Sequence, residues 1–354
     1  MSGSVGAHVR DALKRLEERS PILADSVVYA GSIVFSLIIF AIFLLAMGYD
    51  PLRAFYTMMK ASFGSIEAFS HVIAKLIPLW LCGLACAIAF KASFWNIGAE
   101  GQLYWGAIAF TFVGLFVECP GPLRLLLGLI LAFIAGAIWD LIPGVLKAYL
   151  NIFEVIVTIM LNYVAFLMVE YLITGPWKDP FGYEPISYEI SQDAMLPTLV
   201  PRTTLHAGLI IAIIIAIIAS LIMLKMRLGY EIRVVGANPR AAKIGGINVA
   251  KTVVIASLLS GGIAGIAGAI EISAMQHRLL MRLSPGYGFM GIIVAILAKN
   301  HPVWSFLSAL LLAIIFVGVD ALQRTMAVPI GAVFTLQALI ALCVVVFTHF
   351  LRGS

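Results

Sequence analysis

Apolar stretches long enough to cross a lipid bilayer recur along almost the whole of this chain, and they restrict it to very few architectures. Ten can be read, at about 27–47, 66–90, 103–117, 123–146, 152–173, 206–226, 252–274, 286–298, 303–320 and 330–350. A helical span takes roughly 20 predominantly apolar residues, and inside hydrocarbon every backbone N–H and C=O must find its partner within the protein. The expected fold is therefore all-α, a polytopic transmembrane helical bundle of about ten spans. The runs at 103–117 and 286–298 are short, which predicts broken or re-entrant elements and leaves the count at nine or ten. Mean hydropathy of +1.05 with 12% charged residues excludes an ordinary soluble domain.

Residues 1–25 precede the transmembrane domain, which is expected at 26–351. This N-terminal segment has no apolar core with a cleavage site, so it does not read as a secretory signal. Val9, Ala12, Leu13 and Leu16 fall at helical spacing, and Asp11/Arg15 and Lys14/Glu18 are four apart. That pattern fits an amphipathic helix lying on the membrane surface; a solvated tail is the other reading. Cys82, Cys86, Cys119 and Cys343 show no metal or redox spacing, and the six histidines are scattered. No metal site is expected.

Basic residues orient the chain. Between Lys225 and Lys251 there are six of them against one acid, Glu231. That loop is expected on the cytoplasmic side, and with ten spans and a cytoplasmic N-terminus 14 of the 23 basic residues fall inside. The net charge of +5 then reflects membrane topology and calls for no nucleic-acid partner. The loop at 174–205 falls outside. Its prolines (Pro176, Pro180, Pro185, Pro197 and Pro201) stiffen it, so it reads either as a docking surface centred on Trp177, Lys178 and Asp179 or as a lid or linker. Residues 323–329 are expected as a short outer loop, with Asp140, Asp320 and Arg324 near span ends.

Polar side chains at membrane depth are costly, roughly 2.5–3.5 kcal/mol for a carboxylate on insertion scales. Trp95, Asn96, Glu100, Gln102, Glu154 and Asn162 are therefore candidates for lining a translocation pathway, with Thr158, Glu170, Glu271 and Gln337 as further polar groups. The competing reading is that the carboxylates hold broken backbone or neighbouring helices. The glycines flanking Glu100, Gly98 and Gly101, are expected to loosen the helix there.

Residues 229–251 carry helix punctuation. Asn238 can cap a helix whose first position is Pro239. Arg240, Ala241, Ala242, Lys243 and Ile244 form its body, and Gly245 and Gly246 end it. The product is a short helix of about two turns, isolated between two spans. A rigid knob of this kind suits a groove on another protein; an ordinary capped loop helix is the plain alternative.

Four segments resemble one family: Phe94-Trp-Asn-Ile-Gly-Ala-Glu-Gly-Gln102, Glu154-Val-Ile-Val-Thr-Ile-Met-Leu-Asn-Tyr163, Val235-Gly-Ala-Asn-Pro-Arg-Ala-Ala-Lys-Ile-Gly-Gly-Ile247, and Gly286-Tyr-Gly-Phe-Met-Gly-Ile-Ile-Val-Ala-Ile-Leu-Ala298 followed by Asn300-His-Pro302. They are similar to the integral-membrane permease subunits of bacterial ABC importers, in the ribose and branched-chain amino-acid branch, and most similar to nucleoside and simple-sugar permeases.

The resemblance implies a type II importer-like subunit in the bacterial inner membrane, without enzymatic activity or bound cofactor of its own. ATP and Mg would sit on separate ATP-binding cassette subunits. The other partners would be a second permease subunit, in a heterodimer, and an extracytoplasmic substrate-binding lipoprotein delivering a nucleoside or simple sugar. The coupling helix would lie at about 238–246, with Gly236, Asn238, Pro239, Arg240, Ala241, Ala242, Gly245 and Gly246 meeting the ATPase. From spacing alone, Ser257, Gly261, Gly265 and Ala269 recur every four residues on the next span and offer a close-packing face that lets helices approach and slide, or else packs them statically. Two positions depart from the family pattern: Trp95 stands between Phe94 and Asn96, and Phe153 precedes Glu154. The chain contains no Gly-x-x-x-x-Gly-Lys-Ser/Thr phosphate loop. An ion-coupled secondary transporter of a small polar solute is the alternative. A membrane enzyme is disfavoured by the absence of His-Glu-x-x-His and Gly-x-Ser-x-Gly.

Overall fold

The computed structural model describes residues 21–329 and, beyond them, 331, 332, 334–336, 338, 339, 342, 343 and 346. Most of the expected surface helix, much of the run at 330–350, and Gln337 lie outside the described residues. Twelve α-helices are described: α1 (Pro21–Ala46), α2 (Pro51–Phe63), α3 (Ile66–Lys91), α4 (Ala99–Phe116), α5 (Gly121–Leu150), α6 (Glu154–Thr174), α7 (Gly208–Lys225), α8 (Arg227–Ala237), α9 (Pro239–Ile244), α10 (Val249–Glu271), α11 (Tyr287–Leu297) and α12 (Ser305–Met326). A π-helical turn, Ile272–Gln276, continues α10. Among the described residues, β pairing is limited to isolated bridges. The all-α expectation holds.

Six of these helices are long and apolar enough to cross a membrane: α3, α5, α6, α7, α10 with its π turn, and α12. The two short runs behave as their length dictates. Helix α4 has 18 residues but opens on Glu100 and Gln102. Helix α11 has 11 residues, which at 1.5 Å per residue reach only about 16 Å, half the hydrocarbon thickness. Helix α12 runs to Met326, so residues 323–326 are helical where an outer loop was expected.

The chain divides into two compact units. In the first, from residues up to 68 and from 314 onward, Asp50 caps α2 by accepting from Leu52 N at 2.9 Å, with Pro51 in the first helical position. Met58 packs on Gly318 of α12, and Tyr49 donates to Ala327 O at 3.1 Å.

In the second unit, residues 69–313, α10 crosses α5 and α4 at backbone contact. A Cβ on Gly261 would overlap Gly136 O, one on Gly265 would overlap Ala132 O, and one on Gly268 would overlap Leu103 O. Lipid supplies no hydrophobic drive for helix association, so close van der Waals approach through small residues holds these helices together. The predicted small-residue face of α10 is thus in contact along Ser257, Gly261 and Gly265, with Ser257 meeting Gly144 of α5.

Candidate translocation and coupling site

Helix α3 stops at Lys91, and the chain runs without helix from Ala92 to Gly98 before α4 begins. The break therefore precedes Glu100. Gly98 is the residue before the first turn of α4, and Gly101 lies within that helix. These glycines serve close approach more than loosening: a Cβ on Gly101 would stand 2.8 Å from Asn162 Oδ1 and 3.1 Å from its Cα.

Non-helical backbone packed among helices leaves polar groups to satisfy, and side chains supply the partners. Asn96 is fully buried. Its Oδ1 accepts from Gly98 N at 2.8 Å and from Gln102 Nε2 at 2.9 Å. Its Nδ2, with two hydrogens, faces three acceptors: Gln102 Oε1 at 3.0 Å, Asp140 Oδ2 at 3.0 Å and Ser260 Oγ at 2.8 Å. Ser260 in turn donates to Ala85 O at 2.9 Å. Asn162 bridges the same segment from α6, donating to Ile97 O at 3.0 Å and accepting from Gly101 N at 2.8 Å. Cys86 lies against this knot, its Sγ 3.8 Å from Asn96 O. Like Cys82 it is a buried free thiol.

Asp140 is a correction. Expected near a span end, it sits inside the 30-residue α5 and is completely buried, with Oδ1 lacking a hydrogen-bond partner among the described residues.

The two motif carboxylates are buried as well. Glu100 Oε2 accepts from Gly288 N at 2.6 Å, which ties α4 to α11; a Cβ on Gly288 would overlap Glu100 N. Glu154 accepts from Trp95 N at 3.2 Å through Oε1 and pairs with Lys147 at 2.9 Å through Oε2. Lys147 comes from the last turn of α5, and the chain turns at Asn151, in a left-handed conformation, to bring Glu154 back to it. Trp95 itself is half-exposed, with its ring 4.9 Å from that of Phe90. Of the six predicted pathway residues the structure thus buries five in contact with backbone or one another and leaves Trp95 presented. Sequence reasoning missed Lys147 and Ser260, and also Asp140 as a partner of Asn96. Only Lys147 carried a local signal, seven residues before Glu154 across an Asn turn.

The punctuation at 238–246 folds as read. Asn238 Oδ1 accepts from Arg240 N at 3.0 Å and Ala241 N at 3.1 Å, with Pro239 in the first helical position. Helix α9 has six residues, closer to one and a half turns than two, and it is not isolated: α8 precedes it with only Asn238 between. Of the two closing glycines, Gly246 alone has positive φ, at +80°, while Gly245 is at −75°. Ala242 is buried and anchors α9; Asn238, Pro239, Arg240, Ala241, Lys243, Ile244, Gly245 and Gly246 are exposed. Gly236, by contrast, faces inward, where a Cβ would overlap Lys91 O.

In the loop after α6, Asp179 is engaged internally. It accepts from Phe181 N at 3.0 Å and pairs with Arg278, which also reaches Glu189 at 3.1 Å. The Phe181 N–H and then the Arg278 guanidinium hold the Asp179 carboxyl below its ordinary range. Trp177 is half-buried beside Phe116 and Phe112 of α4, at 5.8 and 6.5 Å between ring centroids, whereas Lys178 is exposed. The fully exposed aromatics of the loop are Phe181 and Tyr183, neither of them singled out by sequence.

A bundle of apolar helices, closed by backbone-contact crossings and carrying one exposed capped helix between two spans, defines a multi-pass membrane protein of the transporter class. Residues 68–348 match the model of the family described as branched-chain amino acid transport system / permease component, and the chain belongs to that family. Permeases of this kind are not themselves enzymes; ATP hydrolysis lies in separate subunits. The glucose ABC transporter permease protein TsgB13 of Haloferax volcanii is 35% identical over 319 residues, covering 87% of this chain and 84% of that one. The guanosine ABC transporter permease protein NupP of Bacillus subtilis is also 35% identical over 319 residues, covering 88% and 91%. NupQ, a second guanosine ABC transporter permease protein of Bacillus subtilis, is 27% identical over 240 residues, covering 66% and 75%. No solved structure matches the chain.

Proposed function

We propose that this chain is the membrane-spanning subunit of an ATP-driven importer of a nucleoside or simple sugar. The observation that carries this reading is the capped, exposed helix α9, a preformed knob fixed to the bundle by Ala242 and α8. In the proposal, α9 enters a groove on a separate ATP-binding cassette subunit, with Asn238, Pro239, Arg240, Ala241, Gly245 and Gly246 forming or shaping the contact and Ala242 seating it. The substrate class rests on the names of the similar permeases. The better match to NupP than to NupQ favours pairing with a second, different permease chain. An extracytoplasmic lipoprotein would deliver the solute to the loop at 174–205, where Lys178 and the tip aromatics Phe181 and Tyr183 are free to meet it. Trp177 and Asp179 would hold that loop in shape.

In the same reading the bundle has about ten spans with the N-terminus in the cytoplasm. Trp95 faces the pathway, and Asn96, Glu100, Gln102, Glu154 and Asn162 hold the non-helical backbone that presents it. Selectivity would reside outside, in the delivering protein, so the pathway needs few affinity contacts. The test is reconstitution of the chain with its ATPase subunits, second permease and lipoprotein in proteoliposomes. Uptake that requires ATP and continues after ion gradients are collapsed is the expected result. Uptake that follows an ion gradient without nucleotide would instead establish the secondary transporter.

A further inference from the structure

We propose that the non-helical segment at 92–98 is the joint through which movement of α8 and α9 reaches the transmembrane helices, and that Ser93 and Gly236 fasten it. This rests on the reading of α9 as the ATPase-coupling helix.

Three observations meet there. Helices α8 and α9 are separated by Asn238 alone, so a push on α9 is a push on α8. The last turn of α8 is in backbone contact with the end of α3: Gly236 leaves no room for a Cβ against Lys91 O, with Lys91 C at 2.8 Å and Ser93 N at 3.3 Å from where that Cβ would stand. At this contact Ser93 donates through Oγ to Gly236 O at 2.8 Å while holding a left-handed backbone, φ 53°. A non-glycine residue is uncommon in that conformation and persists where its surroundings hold it.

The other end of the segment is held just as firmly. Phe94 is fully buried, Trp95 N is bound by Glu154, and the Asn96 side chain is tied to α4, α5 and α10. Ser93 and Trp95 are two residues apart, about 7 Å of fully extended chain at most, so there is little slack to absorb a displacement of α8. A shift of α8 must carry Ser93 with it and reorient Trp95, or break the Ser93–Gly236 contact. The competing route runs through α10, which follows α9 in the chain and crosses α4 and α5 at glycine-to-backbone contacts; the Ser93 variants separate the two routes.

The experiment uses the full reconstituted transporter and reads uptake and ATP hydrolysis together, with retention of the ATPase subunits on the purified complex as the control. For Ser93→Ala we expect the ATPase subunits to be retained and hydrolysis to continue, while solute moved per ATP falls about threefold, the effect of one net hydrogen bond. Ser93→Asn, which keeps a hydrogen-bond donor and tolerates the left-handed backbone, restores the ratio. Gly236→Ala inserts a methyl against backbone and lowers the ratio by about tenfold or more. An unchanged ratio in Ser93→Ala overturns the joint, whether or not Gly236→Ala folds, and leaves α10 as the route. If the wild-type chain retains no ATPase subunit at all, it is the coupling reading that fails.

Discussion

Replacing Asn96 with alanine separates a structural role for the polar knot from a role in contact with solute. The side chain serves Gly98 N, the Gln102 amide, Asp140 Oδ2 and Ser260 Oγ, all at 3.0 Å or less. Truncation strands at least the Gly98 N–H and the Asp140 carboxylate, both buried. Each group left unsatisfied costs about 1–3 kcal/mol, so the loss is about 2–6 kcal/mol. At about 2–4 °C per kcal/mol for a chain of some 200 residues, and less for a longer one, the melting temperature should fall by about 5–10 °C. The buried thiols Cys82 and Cys86 supply the assay: a thiol-reactive fluorophore reports their exposure as the detergent-purified protein is heated, and Cys86 lies beside Asn96. An Asn96→Ala protein that melts like wild type yet has lost uptake would refute this reasoning and put Asn96 in contact with the solute.

Four further outcomes are expected. Glu154→Gln keeps an acceptor for Trp95 N and should transport within about twofold of wild type, whereas Glu154→Ala leaves Lys147 and Trp95 N unpaired and should lose about 1–3 kcal/mol of stability in the same melting assay. Gly246→Val forces a β-branched residue to positive φ, a cost of about 1–2 kcal/mol, and should uncouple hydrolysis from uptake; Gly245→Val, at ordinary φ, should be far milder in paired uptake and ATPase measurements. Gly268→Ala drives a methyl into Leu103 O, and about 1–3 kcal/mol of overpacking should reduce the amount of folded protein recovered from membranes. Asp179 titrates below its ordinary range, so its contribution to the outer loop is complete above the unfolded carboxylate pKa of about 3.9 and is lost only as pH falls through the lower folded value. Protease sensitivity of residues 175–207 should therefore be flat from neutral pH to about pH 5, and Asp179→Asn should raise it throughout.

Local signals were legible where the physics was local. Asn238 caps the helix through its side chain, Pro239 opens it and Gly246 turns the chain after it, so α9 is legible in nine residues. The apolar runs announced the helices because membrane insertion depends on composition over a window of about 20 residues. What escaped were partnerships set by tertiary packing. Asn96 meets Asp140 and Ser260, 44 and 164 positions away, and no spacing rule links them. The depth of Asp140 is hidden because the apolar run at 123–146 gives no sign that the helix continues to Leu150. Helix α8 was missed because glycines stand at two of its buried or contact positions, Gly229 and Gly236, leaving Ile232 and Val235 as a faint apolar stripe. The same glycines make the close contacts with α7 and Lys91. The hold of Arg278 on the outer loop was invisible for the same reason, since its partners lie 89 and 99 residues away.

The proposed role of α9 requires it to meet a separate ATP-hydrolysing subunit on the cytoplasmic side of the membrane. A single cysteine at the exposed position Lys243, in a background where the native cysteines are replaced, tests it directly. In right-side-out vesicles a membrane-impermeant thiol reagent should leave that cysteine untouched until the membrane is opened, and a short bifunctional crosslinker should join it to an ATP-binding cassette subunit. Labelling from the outside of sealed vesicles, or ATP-dependent uptake with no such crosslink to any nucleotide-hydrolysing subunit, would contradict the account.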